Sequence, residues 1–394
     1  MKILQVIPAY YPAEAYGGTV PLAHNLSVQL VKKGHEVIVF SSDTLASNVR
    51  IKERVVDIEG VHVYYFRNVS NSLAWHRMVF NPGIILQMKK EAANFDVIQL
   101  HGLRNFDNIV AHHYAIKYQI PYILLTGGSV LQIGSKIGLK KVFDALYGEK
   151  ILRDAAKVIA ATQLEIDEHK QMGIVEGKIV KIPPSYDVQS FFHLPSYGTF
   201  RDKLGLRNKQ IIMFMGRINA VKGLDFLVQS FANLTKDNKD TVLVIVGPDD
   251  GYKIFLDELM KKLNLTNSII FTGFLSGEEK LSALVDANLL VQTSRFERGP
   301  GSPFEAVLCN TPIVVTKNTG AGELVTQIDA GYLVEYGNID QLVTIMREIL
   351  QNPSEAKAKA QRAKKYIIDH LSWDVLVGQY EAVYRSVLSV KRSN

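Results

Sequence analysis

Residues 289–306 read LLVQTSRFERGPGSPFEA, and this stretch has the strand–loop–helix pattern that recurs along the chain. The apolar run Leu289–Gln292 is typical of a buried strand, a glycine-containing loop follows it, and the pair Ser302-Pro303 is typical of a helix start. Strand-like runs alternate with helical patterns in this way along the whole chain. The alternation predicts βαβ units with parallel sheets, and therefore an α/β fold.

The alternation starts twice, which predicts two domains. One series begins at Ile3–Ile7, and a second, complete series begins at Ile211–Gly216. The segment between the two series contains prolines and a polar, charged run, as interdomain linkers often do. Two such halves imply a cleft, and open parallel sheets bind ligands beyond the carboxyl ends of their strands. The predicted parts are a Rossmann-like N-terminal domain (1–185), a linker (186–208) and a Rossmann-like C-terminal domain (209–371).

The composition is that of a folded globular protein and excludes several classes. Of the 394 residues, 47% are hydrophobic and 21% are charged. No apolar run reaches the roughly 18 residues that a membrane-spanning helix needs. The first residues lack the features of a signal peptide, so a cytoplasmic location is expected. Cys309 is the only cysteine, which excludes a disulfide framework and a thiolate metal cage.

The positive charge is concentrated in the first half of the chain. The net charge is +6, and residues 1–185 carry 21 Lys+Arg against 16 Asp+Glu, whereas the remainder carries 24 against 23. Excess positive charge favours anionic partners such as phosphates or phospholipid surfaces. A surplus of this size can also serve solubility alone. We do not expect a nucleic acid as a partner.

One basic segment, 136–157, has apolar residues at helical spacing. An amphipathic basic surface of this kind can rest on an anionic bilayer, and Trp75 in the apolar stretch 73–80 is a candidate anchor. We therefore hypothesise that the first domain docks peripherally on an anionic membrane, at the inner face of the cell membrane. The alternative is that the helix packs its apolar face on the first-domain sheet. The basic residues are Lys136, Lys140, Lys141, Lys150, Arg153 and Lys157, and the apolar ones are Leu139, Val142, Phe143, Leu146 and Tyr147.

The strongest functional signal is the loop between the strand and the helix quoted first. Glu297 lies on the loop and Glu305 in the first helical turn, with Gly299 and Gly301 between them. Glycines let backbone amides approach a ligand, and a helix N-terminus suits a diphosphate. A structural alternative is a capping box with Ser302 as N-cap and Glu305 as its partner. The capping box does not explain Glu297 or the glycines, so both interpretations stay open.

Two further loops follow strands and open helices. Segment 216–223 carries Arg217 and Lys222, and cations near a helix start oppose the helix dipole, so they indicate a bound anion. Gly17 and Gly18 form a glycine turn after the first strand, which is a weaker signal. The pattern Gly-x-Gly-x-x-Gly with an acidic residue about 20 positions on is absent, and this argues against an NAD-dependent dehydrogenase.

Together, the glutamate pair, segment 216–223, the glycine turn and the C-terminal helical stretch resemble the retaining GT-B glycosyltransferases of glycosyltransferase family 4. The resemblance runs essentially from end to end of the chain. It implies two Rossmann-like domains that face each other across a cleft, with helix 372–394 crossing back onto the first domain. It also implies an activity, the transfer of a sugar from a nucleotide-diphosphate sugar to a glycan or lipid-linked acceptor, with retention of configuration.

The resemblance implies roles for individual residues. Arg217 and Lys222 would neutralise the donor diphosphate. Glu297 would bind a hydroxyl of the transferred sugar and Glu305 the ribose hydroxyls. The remaining donor-binding residues would be Gly17, Gly18, Phe274, Leu275, Gly299, Gly301 and Ser302, with the backbone near Phe274 and Leu275 holding the base. No Asp-x-Asp ligand pair stands in the expected place, so no metal and no other cofactor are expected, and UDP is favoured over GDP.

The sequence departs from the family pattern after the predicted strand Tyr122–Thr126. Many relatives carry a histidine there, and this chain has Gly127. His101 ends another predicted strand and matches a different family histidine position, so it is expected either to act in catalysis at the acceptor site or to be a structural residue. The alternatives to a transferase are a GT-B nucleotide-sugar epimerase and a non-catalytic nucleotide-sugar-binding subunit.

Overall fold

The computed structural model describes residues 1–131 and 137–391. Its contacts divide the chain into two compact units. Unit 1 comprises Met1–Ser185 together with the C-terminal segment that begins at Trp373, and unit 2 comprises Tyr186–Ser372. No helix within the described ranges is long and apolar enough to cross a membrane.

Unit 1 is built on a mostly parallel sheet. Its strands are β1 (Lys2–Val6), β2 (Glu36–Ser42), β3 (Thr44–Ala46), β4 (Val49–Arg50), β5 (Val55–Ile58), β6 (Val61–Phe66), β7 (Val97–His101), β8 (Tyr122–Leu125), β9 (Lys157–Ala160) and β10 (Ile179–Lys181). For the described residues the sheet order is β10-β9-β8-β7-β1-β2-β6-β5, and only the β5–β6 pair is antiparallel. Strands β3 and β4 form a separate antiparallel hairpin.

Helices cover both faces of the unit 1 sheet. They are α1 (Thr19–Lys32), α2 (Asn71–Trp75), α3 (Gly83–Glu91), α4 (Phe106–Lys117), α5 (Ile137–Phe143), α6 (Glu149–Asp154) and α7 (Gln163–Gln171), and a π-helical turn (Asp144–Gly148) joins α5 to α6. Successive side chains of β1 point to opposite faces. Ile3 belongs to the same core as Leu26 of α1, whereas Leu4 belongs to a second core with Met88 of α3 and Val110 of α4.

Unit 2 contains a fully parallel sheet. Its strands are β11 (Gln210–Met215), β12 (Thr241–Val246), β13 (Ile269–Gly273), β14 (Leu289–Gln292), β15 (Ile313–Thr316) and β16 (Tyr332–Val334). Its helices are α8 (Thr199–Leu204), α9 (Leu224–Leu234), α10 (Lys253–Lys262), α11 (Gly277–Asp286), α12 (Gly301–Leu308), α13 (Gly320–Gln327), α14 (Ile339–Gln351) and α15 (Pro353–His370). The sheet order β13-β12-β11-β14-β15-β16 is that of a Rossmann sheet, with the strand order reversing between β11 and β14. The predicted α/β class is confirmed in both units.

The C-terminal helix α16 (Trp373–Lys391) belongs to unit 1. Trp373, Tyr380 and Tyr384 are nearly inaccessible to solvent and share a core with α1 and the sheet. The Tyr384 hydroxyl donates a hydrogen bond to Oε1 of Gln99 on β7. The helix therefore completes the core on one face of the unit 1 sheet.

The segment predicted as a linker, 186–208, is instead an integral part of unit 2. The backbone N–H groups of Gly198 and Phe200 donate to the buried Asp286 carboxylate at 2.6 and 2.7 Å, so Asp286 stabilises the start of α8. Arg201 is buried as well, and it donates to the Asp286 carbonyl and to Asn288 Oδ1, both at 2.7 Å. The prediction was wrong because the partners of this polar segment lie more than 80 positions further along the chain.

Candidate active site in unit 2

Two loops meet where the strand order of the unit 2 sheet reverses. Residues 216–223 follow β11 and residues 293–300 follow β14, at the carboxyl edge where open α/β sheets bind ligands. Gly223 has a φ of +63°, and a Cβ atom there would lie 2.1 Å from the carbonyl oxygen of Thr293. The Thr293 hydroxyl donates to the Gly223 carbonyl at 2.9 Å. Only glycine at position 223 lets the two loops approach this closely.

The structure brings Lys222 and Glu297 into direct contact. Lys222 Nζ forms an ion pair with Glu297 Oε2, and both side chains are 18% exposed. The same carboxylate oxygen accepts hydrogen bonds from Gln292 Nε2 at 2.7 Å and from Ser294 Oγ at 3.2 Å. Sequence reasoning missed Gln292 and Ser294, although both lie within five positions of Glu297. Three donors thus hold one carboxylate oxygen of Glu297 in place.

Arg217 is the second cation at this edge. Its Nη1 atom donates to Asp250 Oδ2 at 2.5 Å, and Asn219 Nδ2 donates to the same oxygen at 3.0 Å. Asp250 comes from the loop after β12, the neighbour of β11. Arg217 lies two residues after β11 and Lys222 lies two residues before α9, and each has a carboxylate partner on a different loop. Asp250 was also missed, because nothing in the local sequence reveals which cation it faces.

Helix α12 begins two residues earlier than the capping box requires. Its first residue is Gly301 and its N-cap is Pro300, so Ser302 already lies within the helix. No side-chain oxygen caps this helix start in the described part of the chain. The capping-box interpretation is therefore wrong. Orphan N–H groups at a helix start, together with the helix dipole, suit an anion.

Glu305 points to a partner outside its own helix. Its Oε1 atom accepts a hydrogen bond from Lys280 Nζ of α11 at 3.0 Å. Beneath the same helix start, the buried Tyr186 hydroxyl donates to the Pro300 carbonyl at 3.2 Å, and its ring lies 5.6 Å from that of Phe304. Burial raises the pKa of Tyr186 well above its ordinary value, so this hydroxyl stays a donor. Gly299 lies in the loop that these contacts support.

Phe274 and Leu275 follow β13, the edge strand two positions from β11. Gly273, at the end of that strand, has a φ of +78°, and the Phe274 side chain is 44% exposed. These residues therefore lie at the same carboxyl edge of the sheet as Arg217 and Lys222. An exposed aromatic residue at this position is available to a flat ligand.

The glycine turn lies in unit 1, between β1 and α1. Gly17 has a φ of +134°, which favours glycine, and its N–H donates to the Glu14 carbonyl at 3.0 Å. Gly18 is exposed and serves as the N-cap of α1 without a side-chain cap. A Cβ atom at Gly18 would meet no heavy atom within 4 Å. The turn therefore presents its backbone to solvent at the carboxyl end of β1.

His101 is not at the surface of unit 1. It is the last residue of β7 and is 1% exposed, with its Nε2 atom 2.8 Å from Gln5 Oε1 and 3.3 Å from Gln99 Nε2. Burial lowers the pKa of His101 to about 3, so the ring is neutral at physiological pH. The side chain is thus buried beside polar groups of β1 and β7, and its role in catalysis at an acceptor site stays a prediction.

Gly127, at the position where many relatives carry a histidine, lies in a turn with a left-handed backbone. Gly127 and Gly128 have φ values of +53° and +80°, and the Gly128 N–H donates to Glu165 Oε1 at 2.9 Å. A Cβ atom at Gly127 would lie 3.4 Å from Cγ2 of Thr19. Two consecutive residues in the left-handed region favour glycine.

The chain matches two family models that adjoin each other. Residues 16–190 match the family described as Glycosyltransferase Family 4, and residues 197–366 match the family described as Glycosyl transferases group 1. An uncharacterized glycosyltransferase of Methanocaldococcus jannaschii is 23% identical over 99% of both chains. The N-acetyl-alpha-D-glucosaminyl L-malate synthase of Bacillus anthracis is 23% identical over 96% of both chains.

Solved structures show the same fold over nearly the whole chain. A sucrose-phosphate synthase from Thermosynechococcus elongatus has a TM-score of 0.82 at 18% identity, covering 99% of this chain and 100% of that one. The protein HepE of Anabaena, solved with UDP and glucose, has a TM-score of 0.77 at 18% identity, covering 98% and 100%. The fold is therefore that of the GT-B enzymes. With one family model on each half, the chain belongs to the glycosyltransferases of family 4, the group 1 glycosyl transferases.

Proposed function

We propose that this glycosyltransferase moves a sugar from a nucleotide-diphosphate donor to an acceptor with retention of configuration and without a divalent metal. The observation that carries the proposal is the charge arrangement at the carboxyl ends of β11 and β14. Arg217 and Lys222 lie on the loop after β11, Lys222 forms an ion pair with Glu297 on the loop that leads into α12, and Glu305 lies in α12. Two fixed cations and an uncapped helix start suit a diphosphate.

The chemistry follows from where charge develops. When the nucleoside diphosphate leaves, negative charge grows on its terminal phosphate oxygens while the sugar carbon becomes oxocarbenium-like. Arg217, Lys222 and the amides at Gly301 and Ser302 would stabilise those oxygens. The acceptor hydroxyl attacks from the face that the diphosphate leaves, and its proton passes to a leaving phosphate oxygen. Such a step needs neither a protein nucleophile nor a metal ion.

Each of the two cations, Arg217 and Lys222, already has a carboxylate partner. A diphosphate would compete with Glu297 for Lys222 and with Asp250 for Arg217. Glu297 would then turn its carboxylate to a hydroxyl of the transferred sugar while Gln292 and Ser294 keep it in place. In this arrangement the donor diphosphate and the donor sugar are recognised by one linked group of side chains.

Other residues at the carboxyl edge of the unit 2 sheet would bind the nucleoside. Glu305, oriented by Lys280, would accept hydrogen bonds from the ribose hydroxyls, and the backbone near Phe274 and Leu275 would hold the base. We favour UDP over GDP, and the likeness to the Anabaena protein solved with UDP supports this choice. The backbone of Gly17 and Gly18 would approach the phosphates or the sugar of the donor, and Gly299 would let the loop after β14 approach the donor.

For the acceptor we propose a glycan or a lipid-linked molecule, and we propose that unit 1 docks on an anionic membrane. Against the alternative, that the basic helix packs its apolar face on the sheet, α5 buries none of its residues. The π-helical turn after α5 is anchored by the buried Asp144, which accepts bonds from Arg104 at 2.7 Å. The exposed apolar side chains around it are Ile137 (44%), Leu139 (63%), Val142 (58%), Leu146 (54%) and Tyr147 (43%).

Charge complements this apolar patch. Lys141 and Lys150 are exposed on the same stretch, and Lys140 is partly exposed. Lys136, also part of the predicted surface, lies outside the described residues. Trp75, expected as an anchor, instead packs its ring edge-on to Tyr16, at 6.2 Å between centroids. An anionic bilayer therefore matches both the apolar and the basic side chains of this surface.

Vesicle sedimentation tests the membrane proposal. Binding to anionic vesicles should be detectable at low salt, weaken as salt screens the charges, and weaken in a Lys140→Glu/Lys141→Glu variant. The matched control is Lys236→Glu/Lys239→Glu, which makes the same charge change in unit 2 and should bind like the unchanged protein. Equal binding by both variants, or none by the unchanged protein at low salt, would contradict docking through α5.

Donor screening tests the catalytic proposal. A ligand that binds the native state raises the melting temperature, and we expect UDP-sugars to do so more than GDP- or ADP-sugars. The stabilising donor is then incubated with glycan and lipid-linked acceptors, and the anomeric configuration of the product is read by NMR. Turnover of the donor to an epimer without acceptor would favour an epimerase. Donor binding without any turnover would favour a non-catalytic binding subunit.

A further inference from the structure

A closed loop in unit 1, residues 68–80, lies beside the glycine turn. The N–H of Val69 donates to the carbonyl of Phe80 at 2.8 Å, which joins the two ends of the loop. Asn68 Nδ2 donates to Asp43 Oδ1 at 2.7 Å, and Asn71 Nδ2 donates to the Ala46 carbonyl at 2.6 Å. These contacts tie the 68–80 loop to the end of β2 and to the β3–β4 hairpin.

From this loop, Arg77 reaches the residue that precedes the glycine turn. Its guanidinium carbon lies 4.2 Å from the centroid of the Tyr16 ring, and its Nη2 atom donates to the Tyr16 carbonyl. Trp75, from α2 of the same loop, packs edge-on to Tyr16, with 6.2 Å between the ring centroids. The loop thus holds both the ring and the backbone of Tyr16.

The backbone of Arg77 adopts a left-handed conformation just after the end of α2. Its φ is +69°, a left-handed conformation that costs a side-chain-bearing residue roughly 1–2 kcal/mol. Such strain persists only where surrounding interactions determine the conformation. The N–H of Arg77 bonds to the Ala74 carbonyl at 3.0 Å, so α2 ends in the turn that directs the guanidinium to Tyr16.

The glycine turn itself has little packing of its own, since Gly18 is exposed and a Cβ atom there would meet nothing within 4 Å. Its position therefore depends on Tyr16, which is 4% exposed and firmly packed. We infer that Arg77 is a positioning residue that sets the place of the Gly17–Gly18 backbone for the reaction. This inference rests on the proposed function of that turn.

Arg77→Gly is the informative variant, because glycine removes the side chain and also relieves the left-handed backbone. We expect a normal melting temperature and an unchanged Kd for UDP, since the nucleotide contacts are proposed in unit 2. The kcat of sugar transfer should fall about 10- to 100-fold, the scale of an ångström-sized misplacement. Arg77→Lys, which keeps the charge and one donor, should restore part of the rate. The matched control is Arg67→Ala, which removes an exposed cation just before the loop and should leave kcat unchanged.

Hydrogen exchange gives a readout that does not depend on activity. In Arg77→Gly, the amides of Gly17 and Val20 should exchange at least about tenfold faster, while amides of β1 stay protected. A kcat equal to that of Arg67→Ala, or unchanged exchange at Gly17, would overturn the inference. If the unchanged protein transfers no sugar from any donor, the proposed function fails, and the exchange result still decides whether Arg77 positions the turn.

Discussion

The most direct test of the candidate site is the replacement of Lys222 by alanine. Lys222 Nζ is the ion-pair partner of Glu297 and lies on the loop after β11, where the leaving diphosphate is proposed to sit. A preorganised cation that stabilises charge in the transition state contributes a factor of roughly 10² to 10³ in kcat. A hundredfold loss corresponds to about 2.7 kcal/mol of transition-state stabilisation. We therefore expect kcat to fall at least about a hundredfold.

The folded state should tolerate this change. Glu297 keeps its bonds from Gln292 at 2.7 Å and from Ser294 at 3.2 Å, so its carboxylate is not left without donors. Both side chains of the Lys222–Glu297 ion pair are 18% exposed, so the pair is neither fully exposed nor fully buried. Its loss should lower the free energy of unfolding by about 1–2 kcal/mol. A Lys222→Ala protein should thus remain folded but turn over slowly.

The assay compares kcat and the UDP Kd of Lys222→Ala with those of Lys253→Ala. Lys253 forms an exposed ion pair with Asp257 on α10 of the same unit, at 2.7 Å, and its removal should leave kcat within about twofold because such surface pairs contribute little. If Lys222→Ala also stays within about threefold of the unchanged protein, the diphosphate does not bind at this edge. A collapse of the melting temperature in Lys222→Ala alone would instead show that the ion pair is chiefly structural.

Three further predictions concern Glu305, metals and pH. Glu305→Gln should bind UDP about tenfold more weakly, because a charge-assisted bond to the ribose becomes a neutral one, with little change in melting temperature; intact UDP binding would remove Glu305 from the nucleotide site. Transfer should survive EDTA, since Arg217 and Lys222 offset the diphosphate; loss of activity that magnesium or manganese restores would refute this. The pKa of His101 is about 3 in the folded chain and 6.5 in the reference state, so the unfolded chain binds more protons between these values. The free energy of unfolding is therefore not reduced by His101 above pH 6.5. Below that pH it falls by up to about 1.4 kcal/mol per pH unit. Denaturant unfolding should show that the free energy of unfolding of His101→Gln falls less steeply between pH 6 and 4 than that of the unchanged protein. An equal pH dependence in the two proteins would contradict the lowered pKa of His101.

Much of the architecture could be predicted from the sequence because it depends on local patterns. The buried runs at Ile211–Gly216 and Leu289–Gln292, with the loops that follow them, predict parallel strands and the edge where Arg217 and Glu297 lie. That prediction needs only the periodicity of apolar residues and the rule that ligands bind at carboxyl ends. The contact between Lys222 and Glu297 follows from the sheet order, in which β11 and β14 are neighbours.

What could not be predicted depends on distant partners. The segment 186–208 looks like a linker until Asp286 is seen to hold the start of α8. His101 ends a strand, as predicted, but its burial beside Gln5 and Gln99 inside the sheet depends on residues of two other sequence positions. For both, the deciding contacts lie outside the local sequence window. The capping box was misplaced by two residues, since the helix begins at Gly301 and Ser302 already lies within it.

The membership of α16 in unit 1 has a consequence for the order in which the protein is made. Unit 1 leaves the ribosome first, yet Trp373, Tyr380 and Tyr384, which belong to its core, are synthesised only after all of unit 2. Before α16 is synthesised, the apolar side chains of Leu26 and Leu30 lack the residues of α16 with which they share a core. Exposed apolar surface on a nascent domain is prone to aggregation and is a substrate for chaperones. The unit that is synthesised first is therefore the one whose folding is completed last.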